Sequence, residues 1–177
     1  MTPLVLTCLL IVLMVVPASA EPPSGFAEFA WGTNPTIIRD QFVSKRCRTS
    51  TENRRGWYSV ECRNYLVEGL TIPVLRLDFE PADSLAGYYM MVARGSYRAF
   101  RDLMLQRFGR PTAQRSILWS GAHISWTWND VSAILIEKCG PEHSCVEVRT
   151  TALDRKLEQI RERELRDSRQ IKLWPSV

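Results

Sequence analysis

The chain has 177 residues, of which 45% are hydrophobic and 24% are charged, and its formal net charge is +4. This length allows one well-buried core of ordinary size, so we expect a single domain rather than several. The net charge is mild, although several of the basic residues lie in one stretch, and we do not expect nucleic acid as a partner of an exported protein.

The N-terminus has the pattern of a cleaved signal peptide. Residues 4–16 form an apolar run interrupted only by Thr7, Pro17 ends it, and Ala18-Ser19-Ala20 supplies the small residues that signal peptidase accepts. We expect residues 1–20 to be removed, so that the mature chain begins at Glu21. The run is too short to span a bilayer and no later segment is apolar enough, so we expect no integral membrane segment after cleavage. The predicted location is exported, either periplasmic or secreted.

Four cysteines remain in the mature chain, and an even number in an exported protein indicates disulfide bonds. Three pairings of Cys47, Cys62, Cys139 and Cys145 are possible. We prefer Cys139 with Cys145, because a short Gly-Pro turn between two strands brings them within bridging distance. By elimination, Cys47 then pairs with Cys62.

Basic residues gather around Cys47, namely Lys45, Arg46, Arg48, Arg54 and Arg55. Serine, threonine and asparagine separate them, which is typical of a solvated connection. Nucleic-acid binding would need exposed aromatic residues among these charges or a recognition helix behind them. The alternative is an anionic partner, either a protein face or a lipid surface, and Arg54 and Arg55 are then candidate contacts.

The secondary structure follows the same order in both halves of the mature chain. In the first half, a helix over residues 35–43 starts at a proline, which suits its first turn. In the second half, a helix over residues 97–108 has Ser96 as its N-cap and stops at Gly109. After the first helix, alternating apolar and polar residues predict strands near residues 57–65 and 75–79, and a third strand follows near residues 88–92. After the second helix, strand-like runs separated by turn residues predict strands near residues 116–119, 124–128, 131–137 and 145.

The C-terminal segment, residues 151–177, has a different composition. Leu153, Leu157 and Ile160 form a narrow apolar stripe before charges dominate, which indicates a helix that begins docked and ends solvated. Its tail carries Trp174, which either folds back on the domain or serves as a hook for a partner.

The predicted fold class is α+β. We expect one domain over residues 21–150 in two halves, about 26–95 and 96–150, each a helix followed by an antiparallel meander. Both helices should pack on one face of the sheet, and a charged helix should follow at the C-terminus.

Several packing and capping residues together resemble a family. They are Phe26, Trp31-Gly32-Thr33, Pro35, Phe42, Phe108-Gly109-Arg110-Pro111 and Trp119. The pattern resembles small uncharacterised exported bacterial proteins with a Trp-Gly-Thr start, over most of residues 26–150. Its helix-plus-meander units are similar to those of β-lactamase inhibitor proteins and of the lipoproteins that assist outer-membrane assembly. That resemblance implies protein binding and no catalytic residues.

The two histidines limit what chemistry the chain can offer. His123 lies near Ser120 and Asp130 in sequence, so a Ser-His-Asp hydrolase is one alternative, although no nucleophile elbow is present. His143 lies between Cys139 and Cys145, and these three side chains could bind a metal if both thiols stayed reduced, which export argues against. We therefore expect no catalytic residue, no metal and no cofactor.

The tryptophans are the remaining candidates. Trp119, Trp126 and Trp128 crowd one hairpin, and Trp126 and Trp128 share a face by the period of two. Packing against the helix over residues 97–108 is one role for that face, and contact with a partner is the other. We expect an exported, non-enzymatic module, an inhibitor or assembly factor, that binds an unknown protein through Trp126, Trp128, Arg54, Arg55 and Trp174.

Overall fold

A computed structural model describes residues 21–42, 47–52, 57–80 and 84–171. The predicted signal peptide, residues 1–20, lies outside these described residues. The described strands are β1 (Gly25–Phe26), β2 (Phe29–Ala30), β3 (Cys47–Glu52), β4 (Trp57–Val67), β5 (Leu70–Glu80), β6 (Ser84–Ala93), β7 (Ala113–Ile117), β8 (Gly121–Thr127), β9 (Val131–Gly140) and β10 (His143–Thr150). The described helices are α1 (Pro35–Phe42), α2 (Tyr97–Phe108) and α3 (Thr151–Ile171).

One antiparallel sheet dominates the molecule. Eight strands form it in the order β3-β4-β5-β6-β10-β9-β8-β7, while β1 and β2 form a separate two-stranded hairpin. Within this sheet, strands that follow one another in the chain are neighbours, with the exception of β6 and β7. Strand β6 pairs instead with β10 at the centre of the sheet. The α+β class predicted from the sequence is therefore confirmed, and β3 and β7 are the two edges of the large sheet.

The core lies against one face of this sheet. A row of directly opposed residues crosses six strands on that face: Val60, Leu77, Tyr88, Val148, Ala133 and Trp126. All six are buried. Since strand residues alternate between faces, the period of two in the sequence places these side chains together.

Helices α1 and α2 contribute to the same core. Ile38 of α1 and Phe100, Met104 and Phe108 of α2 are buried in the cluster that contains the inward row of the sheet. The backbone N–H of Thr36 donates to Oδ1 of Asn34 at 2.8 Å, which satisfies a free donor at the start of α1. None of the described helices combines the length and apolarity that crossing a membrane requires.

Ser96 occupies the predicted N-cap position of α2, but its side chain does not make the expected capping hydrogen bond. A short 3₁₀ turn (Arg94–Ser96) leads directly into the helix instead. The predicted end at Gly109 is confirmed, since Gly109 has φ +67° and its N–H donates to the carbonyl of Leu105 at 2.8 Å.

Helix α3 begins on the opposite face of the sheet. Gly87 neighbours the buried Tyr88 in β6, so it points away from the core, and Leu153 packs onto it. An added Cβ at Gly87 would lie 2.7 Å from Cδ2 of Leu153. Asp154 also accepts a hydrogen bond from Ser132 Oγ at 2.7 Å, which fixes the first turn of α3. Beyond this turn the helix is half-buried or exposed as far as Arg166.

Strand β3 is not predicted by the sequence. The sequence predicts a connection over residues 45–55, but residues 47–52 pair with β4 and place Cys47 directly opposite Cys62. The strand is polar and lies at the sheet edge, so it lacks the apolar alternation that marks a strand in the sequence.

Candidate functional site

The turn between β7 and β8 carries the most exposed apolar surface among the described residues. Strand β7 ends at Ile117 and β8 begins at Gly121, so Leu118 and Trp119 lie in the turn. Leu118 is 92% exposed and Trp119 is 81% exposed. We call this pair the hairpin tip.

The hairpin tip differs from the other exposed apolar residues of the described chain. Ile37, Leu66 and Leu165 lie on three different elements, α1, β4 and α3, and scattered exposed apolar residues are ordinary on protein surfaces. The two tip side chains are adjacent and together expose about 300 Å², the size of a typical largest patch on a monomer. Patches of this size often mark an interaction site.

Hydrogen bonds to β9 hold the base of the hairpin. The carbonyl of Ser120 accepts from the N–H of Lys138 at 3.0 Å, and the N–H of Ala122 donates to Oε2 of Glu137 at 2.8 Å. Both bonds lie immediately after the tip in the chain. The tip is therefore presented by an ordered turn, although its own side chains face solvent.

Gly121 is required where the turn enters β8. Its φ is +69°, in the left-handed region that favours glycine. An added Cβ would also lie 2.5 Å from Oε2 of Glu137, the oxygen that accepts the hydrogen bond from Ala122. A larger residue at this position would displace the carboxylate that supports the turn.

The structure brings Ser120 and His123 together but leaves Asp130 apart from them. Oγ of Ser120 lies 2.7 Å from Nε2 of His123. Asp130 lies between β8 and β9, at the end of β8 remote from His123. The Ser-His-Asp arrangement considered from the sequence is therefore not assembled.

The surroundings of the other ring nitrogen, Nδ1, indicate which nitrogen of His123 carries the proton. Nδ1 is buried and has no hydrogen-bond partner among the described residues. An unpaired buried N–H is costly, so the favoured tautomer carries its proton on Nε2 and donates it to Ser120. Desolvation, followed by the charge of Arg115, lowers the pKa of His123, which keeps the ring neutral. This arrangement supports the turn and does not activate the Ser120 hydroxyl.

The predicted disulfide between Cys139 and Cys145 is wrong, because both residues are free thiols. The register pairs Cys145 with Ile136 rather than with Cys139, and the two thiols contact each other and the Tyr89 hydroxyl without being bonded. Cys139 is exposed and its sulfur lies 3.8 Å from the hydroxyl of Tyr89. Cys145 is buried, and this burial raises the pKa of its thiol.

The alternative metal site at His143 is not assembled either. No group of three or more histidine, cysteine, aspartate and glutamate side chains within the described ranges is arranged to hold a metal ion. The other predicted disulfide does form, since Cys47 and Cys62 are bonded across β3 and β4.

The predicted partner contact at Trp126 is wrong. Trp126 is 1% exposed, and its Nε1–H donates to the carbonyl of Gly109 at 3.0 Å. Trp128 is half-buried and packs edge-on against Phe108, with ring centroids 5.7 Å apart. The remaining candidates, Arg54, Arg55 and Trp174, lie outside the described residues.

Trp119 is one of the three tryptophans considered from the sequence, but it is not among the predicted contact residues. The sequence places it at the end of a strand over residues 116–119, whereas the strand ends at Ile117. A usable signal was present in the sequence, because Leu118 and Trp119 directly precede the turn residues Ser120 and Gly121.

The face of the sheet opposite the core carries charges that neutralise one another. Arg76 Nε lies 2.9 Å from Asp78 Oδ1, and its guanidinium carbon lies 5.3 Å from the ring centroid of Tyr89. Arg149 pairs with Glu147 and with Asp154. Burial raises the pKa of Asp78 despite the nearby arginine. Since these charges already have partners, this face offers fewer free groups to a ligand than the hairpin tip does.

No family model, no curated protein and no solved structure matches this chain.

Proposed function

We propose that the chain is an exported, non-enzymatic protein-binding module that contacts its partner through the hairpin tip. The observation that carries this proposal is the 92% exposure of Leu118 beside the 81% exposure of Trp119. Burying each of these side chains in a partner would contribute about 2 to 3 kcal/mol. Tryptophan is also among the residues that most often dominate the binding energy of an interface.

The support beneath the tip strengthens the proposal. Glu137 and the backbone of Lys138 hold the turn in place before any partner arrives. A turn that is already ordered loses little conformational entropy on binding, so more of the contact energy contributes to affinity.

Two observations support an exported location. The disulfide between Cys47 and Cys62 is of the kind that oxidising compartments form and keep. The apolar run over residues 4–16 has the pattern of a signal peptide.

The strand order supports the finer interpretation of the fold as two helix-plus-meander units. Strands β3 to β6 follow α1 and lie on one side of the sheet, and strands β7 to β10 follow α2 and lie on the other. Units of this kind serve protein binding in the inhibitors and assembly lipoproteins that the sequence resembles. An inhibitor or an assembly factor is therefore the proposed subclass.

A small hydrolase is the second candidate, and the distance of 2.7 Å between Ser120 Oγ and His123 Nε2 favours it. It ranks lower because the preferred tautomer of His123 donates to the hydroxyl instead of accepting its proton. Replacing both histidines by alanine separates the two proposals. A binding module keeps its partner after this change, whereas a hydrolase of this kind loses its activity.

Site-specific crosslinking tests the binding proposal. A photo-reactive amino acid replaces Leu118 in one variant and Leu66 in a control, since Leu66 is also exposed, at 65%, but lies in β4. Both variants are irradiated in the exported compartment, and the adducts are identified by mass spectrometry. We expect one defined protein to be captured from position 118 and not from position 66. The same adducts from both positions, or none from position 118, would count against the hairpin tip.

A further inference from the structure

The outer edge of β7 is open. In the described sheet β7 pairs with β8 on one side and lies at the end of the strand order on the other. Its first four residues, 113–116, are exposed, so no helix or loop of the described chain covers the strand. An edge strand carries a row of backbone N–H and C=O groups that can pair with another strand.

Strand β7 carries only one of the usual devices that prevent such pairing, a single charged side chain. It contains no proline, its pairing with β8 runs through all five residues without a bulge, and Arg115 is its one charged residue. Natural proteins usually block long exposed edges with prolines, bulges or several charges. The strand leads directly into Leu118 and Trp119, so the open edge and the hairpin tip form one continuous surface.

The charge of Arg115 indicates which strand would fit. Arg115 makes no ion pair with any residue in the described part of the chain, and it occupies the middle of β7. A second copy pairing antiparallel and symmetrically through β7 would place two Arg115 side chains opposite each other, which is unfavourable. A strand with a carboxylate at that position would gain from the same geometry.

We propose that β7 accepts an extended segment of the partner protein as a ninth strand of the sheet. The segment carries a glutamate or aspartate beside Arg115 and an apolar side chain that packs against Leu118 or Trp119. Its backbone pairs with the open edge, and its side chains provide the selectivity. This inference rests on the proposed protein-binding function and names the chemistry of the partner.

Selection from a displayed library of random peptides tests the inference. The probe is the library itself, with peptides long enough to pair with all five residues of β7. The mature chain from Glu21 serves as the target, and the selected peptides are then measured against three variants, Trp119→Ala, Arg115→Glu and Arg155→Glu. Arg155 is the matched control, because it is exposed on α3, which contacts β10 and β6 rather than β7.

We expect the selected peptides to carry an acidic residue among alternating apolar residues. Arg115→Glu should weaken the affinity of the chain for these peptides about tenfold, since it replaces an attractive cross-strand pair by a repulsive one. Arg155→Glu should have little effect on this affinity. Replacing the acidic residue of the peptide by lysine should restore binding to Arg115→Glu. A bound peptide should also slow amide hydrogen exchange at residues 113–117. A peptide that contacts only the side chains of the hairpin tip would not slow this exchange.

The outcomes distinguish this inference from the proposed function. Peptides that depend on Trp119 but not on Arg115, and that leave exchange in β7 unchanged, overturn the added strand and leave the hairpin tip as a binding site. Failure to recover any peptide that depends on Trp119 contradicts both. Dimerisation of the mature chain that Arg115→Glu does not relieve, with β7 protected, would show that a second copy occupies the edge and would overturn the acidic segment.

Discussion

Oγ of Ser120 lies 2.7 Å from Nε2 of His123, while the Nδ1 of the same ring is buried without a hydrogen-bond partner among the described residues. The two side chains resemble the serine and histidine of a catalytic triad, but they support a turn. A neutral ring donates one hydrogen bond to Ser120 and leaves Nδ1 without a proton. A charged ring would bury a second N–H with nothing to accept it.

The stability of the protein should therefore depend on the protonation of His123. Its pKa in the folded protein is lowered from the ordinary value of 6.5, so the unfolded chain binds the proton more readily. The free energy of unfolding should fall as the pH drops from about 6.5 through the folded-state pKa, and this contribution should be constant at higher pH.

Urea unfolding at several pH values measures this effect, with His123→Gln as the control. Glutamine does not titrate and keeps an N–H that can donate to Ser120. His143 is present in both proteins, so the difference between them isolates His123. Identical pH profiles for the two proteins would contradict the account.

Gly121→Ala should destabilise the protein by about 1 to 3 kcal/mol, because the new Cβ is strained at positive φ and meets the Glu137 carboxylate. Gly95→Ala is the matched control, since Gly95 has open space around its Cβ position and no positive φ. It should change stability by less than about 0.5 kcal/mol. Equal losses in urea unfolding would show that the turn at Gly121 tolerates a side chain.

Reduction of the disulfide between Cys47 and Cys62 should lower the free energy of unfolding by about 3 kcal/mol. The bond closes a loop with a sequence separation of 15, and it restricts the unfolded chain accordingly. Unfolding with and without dithiothreitol measures the effect. A double variant, Cys47→Ala with Cys62→Ala, should be insensitive to the reductant, and equal sensitivity in both proteins would exclude this bond as the cause.

Cys139 and Cys145 should differ in reactivity towards a thiol reagent. Iodoacetamide should modify the exposed Cys139 in the native chain, and it should modify Cys145 only after denaturation, because burial hides that thiol and raises its pKa. Peptide mass spectrometry identifies the modified residue. Recovery of a disulfide-linked peptide from untreated native protein would contradict the free-thiol assignment.

Much of the fold could be predicted from periodicity. Strands β4 and β5 alternate apolar and polar residues over most of their length, and α2 places Phe100, Met104 and Phe108 at helical spacing. Strand β3 could not be found in this way, because its residues are mostly polar and it pairs on one side only. Strand β3 is recognised from its pairing with the adjacent strand β4, which places Cys47 opposite Cys62.

The site was harder to predict, because alternation tells which residues share a face but not which face is covered. Trp126 and Trp128 were predicted to share a face, and their common contact with Phe108 confirms it. Packing of α2 makes that face the core, so Trp126 is unavailable to a partner. Trp119 is exposed because β7 ends two residues before it, at Ile117, and alternation in the sequence does not reveal that end.

We propose that Trp119 at the hairpin tip supplies a large part of the binding energy. The most direct measurement is the affinity of the crosslinked partner, once purified, for the unmodified chain, for Trp119→Ala and for Leu66→Ala, by titration calorimetry. We predict that Trp119→Ala weakens binding at least about thirtyfold, or about 2 kcal/mol, while Leu66→Ala changes it less than about threefold and both variants unfold at the same urea concentration. Unchanged affinity in Trp119→Ala would contradict the account.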